Sequence, residues 1–227
     1  MWYIFNVFLI YLSGDNDMSK KFNSGLAVIL PNKKVNLFVL FVIILGIISG
    51  TIFLLALNDV DKELVFNQIT NFMNNVNDNN INNFNVFKNC LLENIIFILL
   101  IWILGMSIIG IIFNIFIIYL KGFILGFTLS SFFLIYEYKG LLAGLIYLVP
   151  SGLINFLVTI IVGVYSIILT INLWKVIFMK DRSNNISKFL KKYLLILLIC
   201  IILVVISSLC ESYLTPALLK LIVKLFI

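Results

Sequence analysis

The chain has 227 residues, of which 63% are hydrophobic and 11% are charged, and its formal net charge is +6. Soluble domains carry about 25% charged residues, so this composition excludes a soluble globular protein and indicates one membrane domain. The lysines stand at the ends of apolar segments, which is typical of topology signals and argues against a nucleic-acid-binding surface.

The first seventeen residues form a separate segment. Met1 to Leu12 is apolar, but it lacks a basic beginning and is shorter than the roughly 20 residues that a span requires. A second methionine, Met18, is followed by two lysines, as at the start of many bacterial membrane proteins. We therefore interpret residues 1–17 as an over-extended start or an interfacial segment, and residues 18–227 as a single membrane domain.

The first predicted span covers residues 35–57, directly after Lys33 and Lys34. Basic residues favour the cytoplasmic side, so we expect a cytoplasmic N-terminus and an outer loop over residues 58–90. Within that loop, apolar residues recur at helical spacing from Val65 to Val76, which predicts an amphipathic helix.

Together with the first span, the rest of the sequence predicts an all-α polytopic protein with about five transmembrane helices. After the first span, the further spans are expected over residues 95–118, 122–136, 153–173 and 193–209. We expect Lys121 and a basic loop over residues 174–192 in the cytoplasm, and a turn outside at Glu137. The fourth span is interrupted at Pro150-Ser151-Gly152, and the sequence leaves open whether the chain kinks or re-enters there. The C-terminal segment predicts a short helix at the outer interface.

Small residues mark candidate helix-packing positions, because paired glycines four residues apart let two backbones approach closely. The sequence leaves open whether they pack within one chain or form a homo-oligomer. The candidate helix-packing residues are Gly46, Gly50, Gly105, Gly110, Gly122 and Gly126.

Polar residues within the predicted spans would either join neighbouring helices by hydrogen bonds or line a path through the membrane, and joining is the simpler interpretation. They are Ser107, Asn114, Thr128, Ser130, Ser131, Asn155 and Thr159.

No reactive constellation is evident. The chain has no histidine, and Cys90, Cys200 and Cys210 lack metal-type spacing. We therefore expect no catalytic, cofactor-binding or metal-binding residues. Glu137 paired with Glu211 on the outer face is the one acid–base alternative, and it would make the protein a membrane hydrolase.

Three segments resemble stage II sporulation protein M in their order and spacing. They are LGMSIIG at residues 104–110, KGFILGFT at residues 121–128 and ESYLTP at residues 211–216. The resemblance covers most of the chain from about Phe22. The wider family carries a Pro-His-Gly element followed by Glu, and here Ser151 and Asn155 replace that ionisable pair, so no activity tied to it is transferred.

The resemblance implies a scaffold that recruits stage II sporulation proteins P and D to the mother-cell and septal membrane during engulfment. A scaffold needs outer contact surfaces, for which the candidate partner-contact residues are Ile69, Phe72, Phe84, Glu211, Tyr213 and Pro216. The competing interpretation is a permease subunit for a small neutral solute, with a site at the interrupted fourth span.

Overall fold

Nearly every residue that the structure describes belongs to a helix. The structure is a computed structural model, and it describes residues 32–78, 82–178 and 186–226. The segment 1–17 lies outside these residues, and the basic loop 174–192 is described only in part. Four of the described helical segments are long and apolar enough to cross a membrane. The prediction of an all-α polytopic membrane protein is confirmed.

The described residues form seven α-helices and one short π-helix. One continuous run, Gly110–Phe178, leaves helical geometry only at Glu137, whose φ is 51°. We therefore describe this run as two helices, α4 (110–136) and α5 (138–178). The others are α1 (Lys33–Ala56), α2 (Asp59–Asn77), α3 (Asn83–Gly105), α6 (Ile186–Leu209), the π-helix (Cys210–Leu214) and α7 (Thr215–Phe226).

The chain reverses direction between Gly105 and Gly110, where we expected one span over residues 95–118. The lysine at position 121 comes back beside Asn94 on α3, with 3.2 Å between Nζ and Oδ1. A Cβ atom at Gly110 would collide with the Leu104 carbonyl, so the sharp turn depends on this glycine. The expected span therefore divides into the antiparallel arms α3 and α4.

The second reversal is at Glu137, as expected, and the chain does not re-enter at Pro150, where we had left open a kink or a re-entrant segment. The rings of Phe132 and Tyr147 have centroids 5.7 Å apart, although these residues would be about 22 Å apart along a straight helix. The backbone of α5 remains helical through Pro150. The Ser207 hydroxyl on α6 donates to the Ser151 carbonyl at 2.9 Å, which adds a hydrogen bond beside the proline.

The arms α1 and α4 run parallel and pack glycine against glycine. A Cβ atom at Gly46 would lie 3.0 Å from the Cα of Gly122 and collide with the Tyr119 carbonyl. One helical turn further, a Cβ atom at Gly126 would collide with the Ile47 carbonyl, and one at Gly50 would collide with the backbone of α4. The two glycine pairs thus contact each other within one chain, as in close helix pairs in membranes.

The two ends of the bundle differ in charge. The parallel packing of α1 with α4 and the antiparallel packing of α5 with α6 bring several lysines to one end, which we call the basic end. The opposite end, which we call the far end, carries the Glu137 turn, α2 and α7. The lysines of the basic end are Lys33, Lys34, Lys175, Lys191 and Lys192.

Candidate functional site

The bundle contains a partly open polar cavity of about 180 Å³, which we call the central cavity. It lies between α3, α4, α5 and the π-helix, and apolar side chains of α4 and α5 form part of its wall. Its polar lining consists of Glu93, Asn94, Lys121, Thr128, Tyr147, Ser151, Asn155 and Glu211.

Lys121 lies near the middle of the membrane domain. Its neighbour Gly122 packs against Ile43, which is about 15 Å from the basic end of α1 and about 20 Å from its other end. The hydrocarbon core of a bilayer is about 30 Å thick. The expectation that Lys121 marks the cytoplasmic end of a span is therefore wrong, because the turn between Gly105 and Gly110 places α4 earlier in the chain than expected.

The side chain of Lys121 is held by α3. Its ammonium group donates to Asn94 Oδ1 at 3.2 Å and lies 4.7 Å from the centroid of the Phe97 ring. The Asn94 amide in turn donates to the Cys90 carbonyl at 2.9 Å. These contacts hold the ammonium group beside α3, at the wall of the central cavity.

Glu211 stands on the π-helix, a distortion that is frequent at functional sites because it redirects side chains. The Cys90 thiol and the Ser151 hydroxyl are hydrogen-bond partners of its carboxylate. Lys121 and Glu93 lie close enough to interact with it electrostatically. The carboxylate thus faces the cavity and not the outer surface, where we expected a partner-contact residue.

Asn155 contributes a buried acceptor to the cavity wall. Its Oδ1 atom is buried and has no hydrogen-bond partner among the described residues. Such an atom costs free energy unless a ligand or water donates to it. Asn155 and Ser151 occupy the two positions at which the wider family has its ionisable pair, so this chain retains polar groups there.

A second chamber of about 210 Å³ lies between the central cavity and α2. It is lined mainly by apolar side chains, among them Val65 and Phe72 of α2. Thr128 and Tyr147 line both chambers. The two chambers are therefore adjacent, and α2 forms one wall of the second chamber.

The structure divides the candidate partner-contact residues into two groups. Ile69 and Phe72 are half-buried against the bundle, where the ring of Phe72 lies 5.7 Å from that of Tyr147. Phe84 and Tyr213 are exposed, with 67% and 50% of their surfaces accessible. Pro216 is half-buried on α7.

The remaining candidate helix-packing glycines are Gly105, the last residue of α3, and Gly110, the first residue of α4. A Cβ atom at Gly105 would collide with the side chains of Ser166 and Tyr193. Beside it, the Thr170 hydroxyl donates to the Gly105 carbonyl at 2.9 Å. Gly105 thus packs α3 against α5 and α6, whereas Gly110 serves the turn.

The polar residues of the spans have two different roles. Asn114 is fully buried and hydrogen-bonds with Ser166, and Ser130 donates to Thr51 at 2.9 Å, so these residues join helices. Thr128 and Asn155 line the central cavity instead.

The acid pair considered from the sequence is not assembled. Glu137 is exposed in the far-end turn, whereas Glu211 is beside Ser151, about 20 Å along α5 from that turn. The two carboxylates cannot act together as an acid and a base at that separation.

The sequence did contain a signal for the missed residues Glu93 and Lys121. The apolar block of residues 91–120 is 30 residues long, which exceeds the roughly 20 that one span requires. Two glycines with a serine between them interrupt it, which favours a turn. With that turn, Lys121 would have been expected within a span.

Comparison with protein families matches residues 38–216 to the family described as Stage II sporulation protein M. Neither the curated proteins nor the solved structures contain a match to this chain. The matched range begins in α1 and ends at the start of α7, so it includes every residue that lines the central cavity.

Proposed function

The chain belongs to the stage II sporulation protein M family, and we propose that it is a scaffold of the engulfment machinery rather than an enzyme. Family membership and the long apolar helices identify the chain as a sporulation-related membrane protein. In the proposed role it holds peptidoglycan-degrading partners, stage II sporulation proteins P and D, at the septal membrane of the mother cell.

One observation carries the proposal: α2 is docked on the far end of the bundle. Met73 and Val76 are buried against Phe132, Ala143 and Leu219. This packing fixes α2 in position, and the far end becomes a rigid platform. A rigid surface suits a scaffold because its partners lose less conformational entropy when they bind.

The platform presents apolar and aromatic side chains that the bundle does not cover. Their exposed fractions are 69% for Val60, 67% for Phe84 and 80% for Tyr138. Exposed aromatic residues are frequent anchors in protein interfaces. We propose that these residues, together with Tyr213, contact the partners.

The distribution of lysines supports the orientation that this role requires. The basic end should lie in the cytoplasm, because lysines favour that side. The far end then faces outward, where the cell wall and its degrading proteins are. The N-terminus of α1 is cytoplasmic in this orientation.

The experiment compares platform variants in a sporulating deletion strain. Phe84→Asp and Tyr138→Asp should each arrest septal membranes as flat or bulging septa, seen with a membrane dye, and should disperse a fluorescent partner protein. The matched control is Asn89→Asp, which introduces the same charge at an exposed polar position of α3. Immunoblotting must show equal amounts of protein in the membrane. Normal engulfment in the deletion strain itself would exclude the scaffold role.

A permease is a second candidate, and one observation favours it. Lys121 and Glu211 line a cavity near mid-membrane depth, and charged groups at such depth can couple transport to an ion. Uptake into vesicles containing the purified protein separates the two functions, since a scaffold should give no saturable flux.

A further inference from the structure

We propose that the central cavity binds a small organic ligand with one positive charge, a primary ammonium compound, which enters from the far end beneath α2. The inference does not depend on the scaffold role, because it concerns residues that face the interior of the bundle.

The carboxyl groups that line the cavity outnumber its ammonium groups. Two carboxylates, Glu93 and Glu211, line it together with a single ammonium group, that of Lys121. An unbalanced charge at membrane depth is costly, and such residues are usually functional. A ligand with one positive charge balances the three groups.

The hydrogen-bonding groups favour an ammonium ligand. A primary ammonium has three N–H donors. The Glu211 carboxylate and the Oδ1 atom of Asn155 can each accept one, and Asn155 lacks a partner among the described residues. Among the described contacts, the ammonium group of Lys121 donates to Asn94, and Asn155 Oδ1 receives no hydrogen bond from it.

The size of the cavity favours an organic ligand over a bare ion. A water molecule takes about 30 Å³ in the liquid, so 180 Å³ corresponds to roughly six water molecules or a small amine. Among the described residues, no group of three or more His, Cys, Asp or Glu side chains could hold a metal ion. The ammonium end would lie near Glu211, and an alkyl portion would extend toward the apolar second chamber.

The route to the cavity is the second chamber. Val65 and Phe72 of α2 form part of its wall, and Thr128 and Tyr147 line both this chamber and the central cavity. The ligand would therefore reach its site from the side on which we place the cell wall.

The test is isothermal titration calorimetry of the full-length protein in lipid nanodiscs, with ethylammonium chloride as the probe. Sodium chloride controls for an inorganic cation, and ethanol controls for an uncharged molecule of similar size. We expect saturable binding of ethylammonium alone. Absence of saturable binding would overturn the proposal, as would binding of sodium in place of ethylammonium.

Two variants locate the site. Glu211→Gln should weaken ethylammonium binding about tenfold or more, because a charge-assisted hydrogen bond is lost. Asn155→Leu should weaken ethylammonium binding by about fivefold. If Glu211→Gln does not fold, the affinity of Asn155→Leu is the test of the site. Glu63→Gln, an exposed position on α2, is the matched control and should bind as the unaltered protein does. Unchanged affinity in Asn155→Leu and in any folded Glu211→Gln would overturn the proposal, whereas the engulfment assay tests the scaffold role separately.

Discussion

The ammonium group of Lys121 on α4 donates a hydrogen bond to the side chain of Asn94 on α3, and the two atoms are 3.2 Å apart. This contact joins the two arms of the hairpin that closes between Gly105 and Gly110. It also holds a positive charge beside the carboxylates of the central cavity. The same residue pair therefore serves both the fold and the electrostatic balance of the site.

Lys121→Met should destabilise the protein, because it leaves Glu211 and Glu93 without their counter-charge. It also removes the hydrogen bond to Asn94, and a hydrogen bond from a charged group contributes about 1.5–3 kcal/mol. We expect a lower thermal unfolding midpoint in detergent, with Lys33→Met at the exposed basic end as the control. The double variant Lys121→Met/Glu211→Gln should recover about half of the loss. No recovery would show that Lys121 acts through packing alone.

Gly126→Ala should weaken the contact between α1 and α4, since the added methyl group collides with the Ile47 carbonyl. Overpacking of this kind costs about 1–3 kcal/mol. Gly152→Ala is a matched control, because the nearest atom to its Cβ would be 3.6 Å away and alanine favours a helix by about 1 kcal/mol. Thermal unfolding in detergent should separate the two variants. Equal midpoints would contradict the glycine contact.

Phe72→Asp should release α2 from the bundle, because it places a charge against Tyr147 and Phe132 at the far end. The half-buried Lys62 on α2 then becomes a faster site of cleavage by trypsin, followed on a gel. Asn67→Asp adds the same charge on an exposed position of α2 and should leave the rate unchanged. If both variants are cleaved at the rate of the unaltered protein, α2 is not held by this face.

Thr128→Cys in a cysteine-free chain should react with a membrane-impermeant maleimide added on the side of the membrane that the far end faces. The reason is that position 128 lines both chambers. Ser166→Cys should stay unreactive, since Ser166 is fully buried near the basic end. Labelling of intact spheroplasts tests the route and the orientation together. Combination with Phe72→Asp should raise the rate of labelling at position 128. Labelling only from the cytoplasmic side would contradict the proposed orientation.

The sequence by itself determined the membrane class, the all-helical fold and the family. The first two properties depend on long apolar blocks with lysines at their ends, because a bilayer requires every backbone polar group to be paired within a helix, whereas the family depends on three short motifs. The amphipathic stretch from Val65 to Val76 was also readable, since helical periodicity is local.

Only the tertiary structure decided which residues face one another. The turn between Gly105 and Gly110 moves Lys121 from the end of a span to its middle, and the π-helix turns Glu211 inward beside Ser151. Likewise, the glycine pairs of α1 and α4 contact each other within one chain. Composition and spacing could not show these relationships, because the position of one turn sets the depth of every residue after it and side-chain neighbours come from distant parts of the chain.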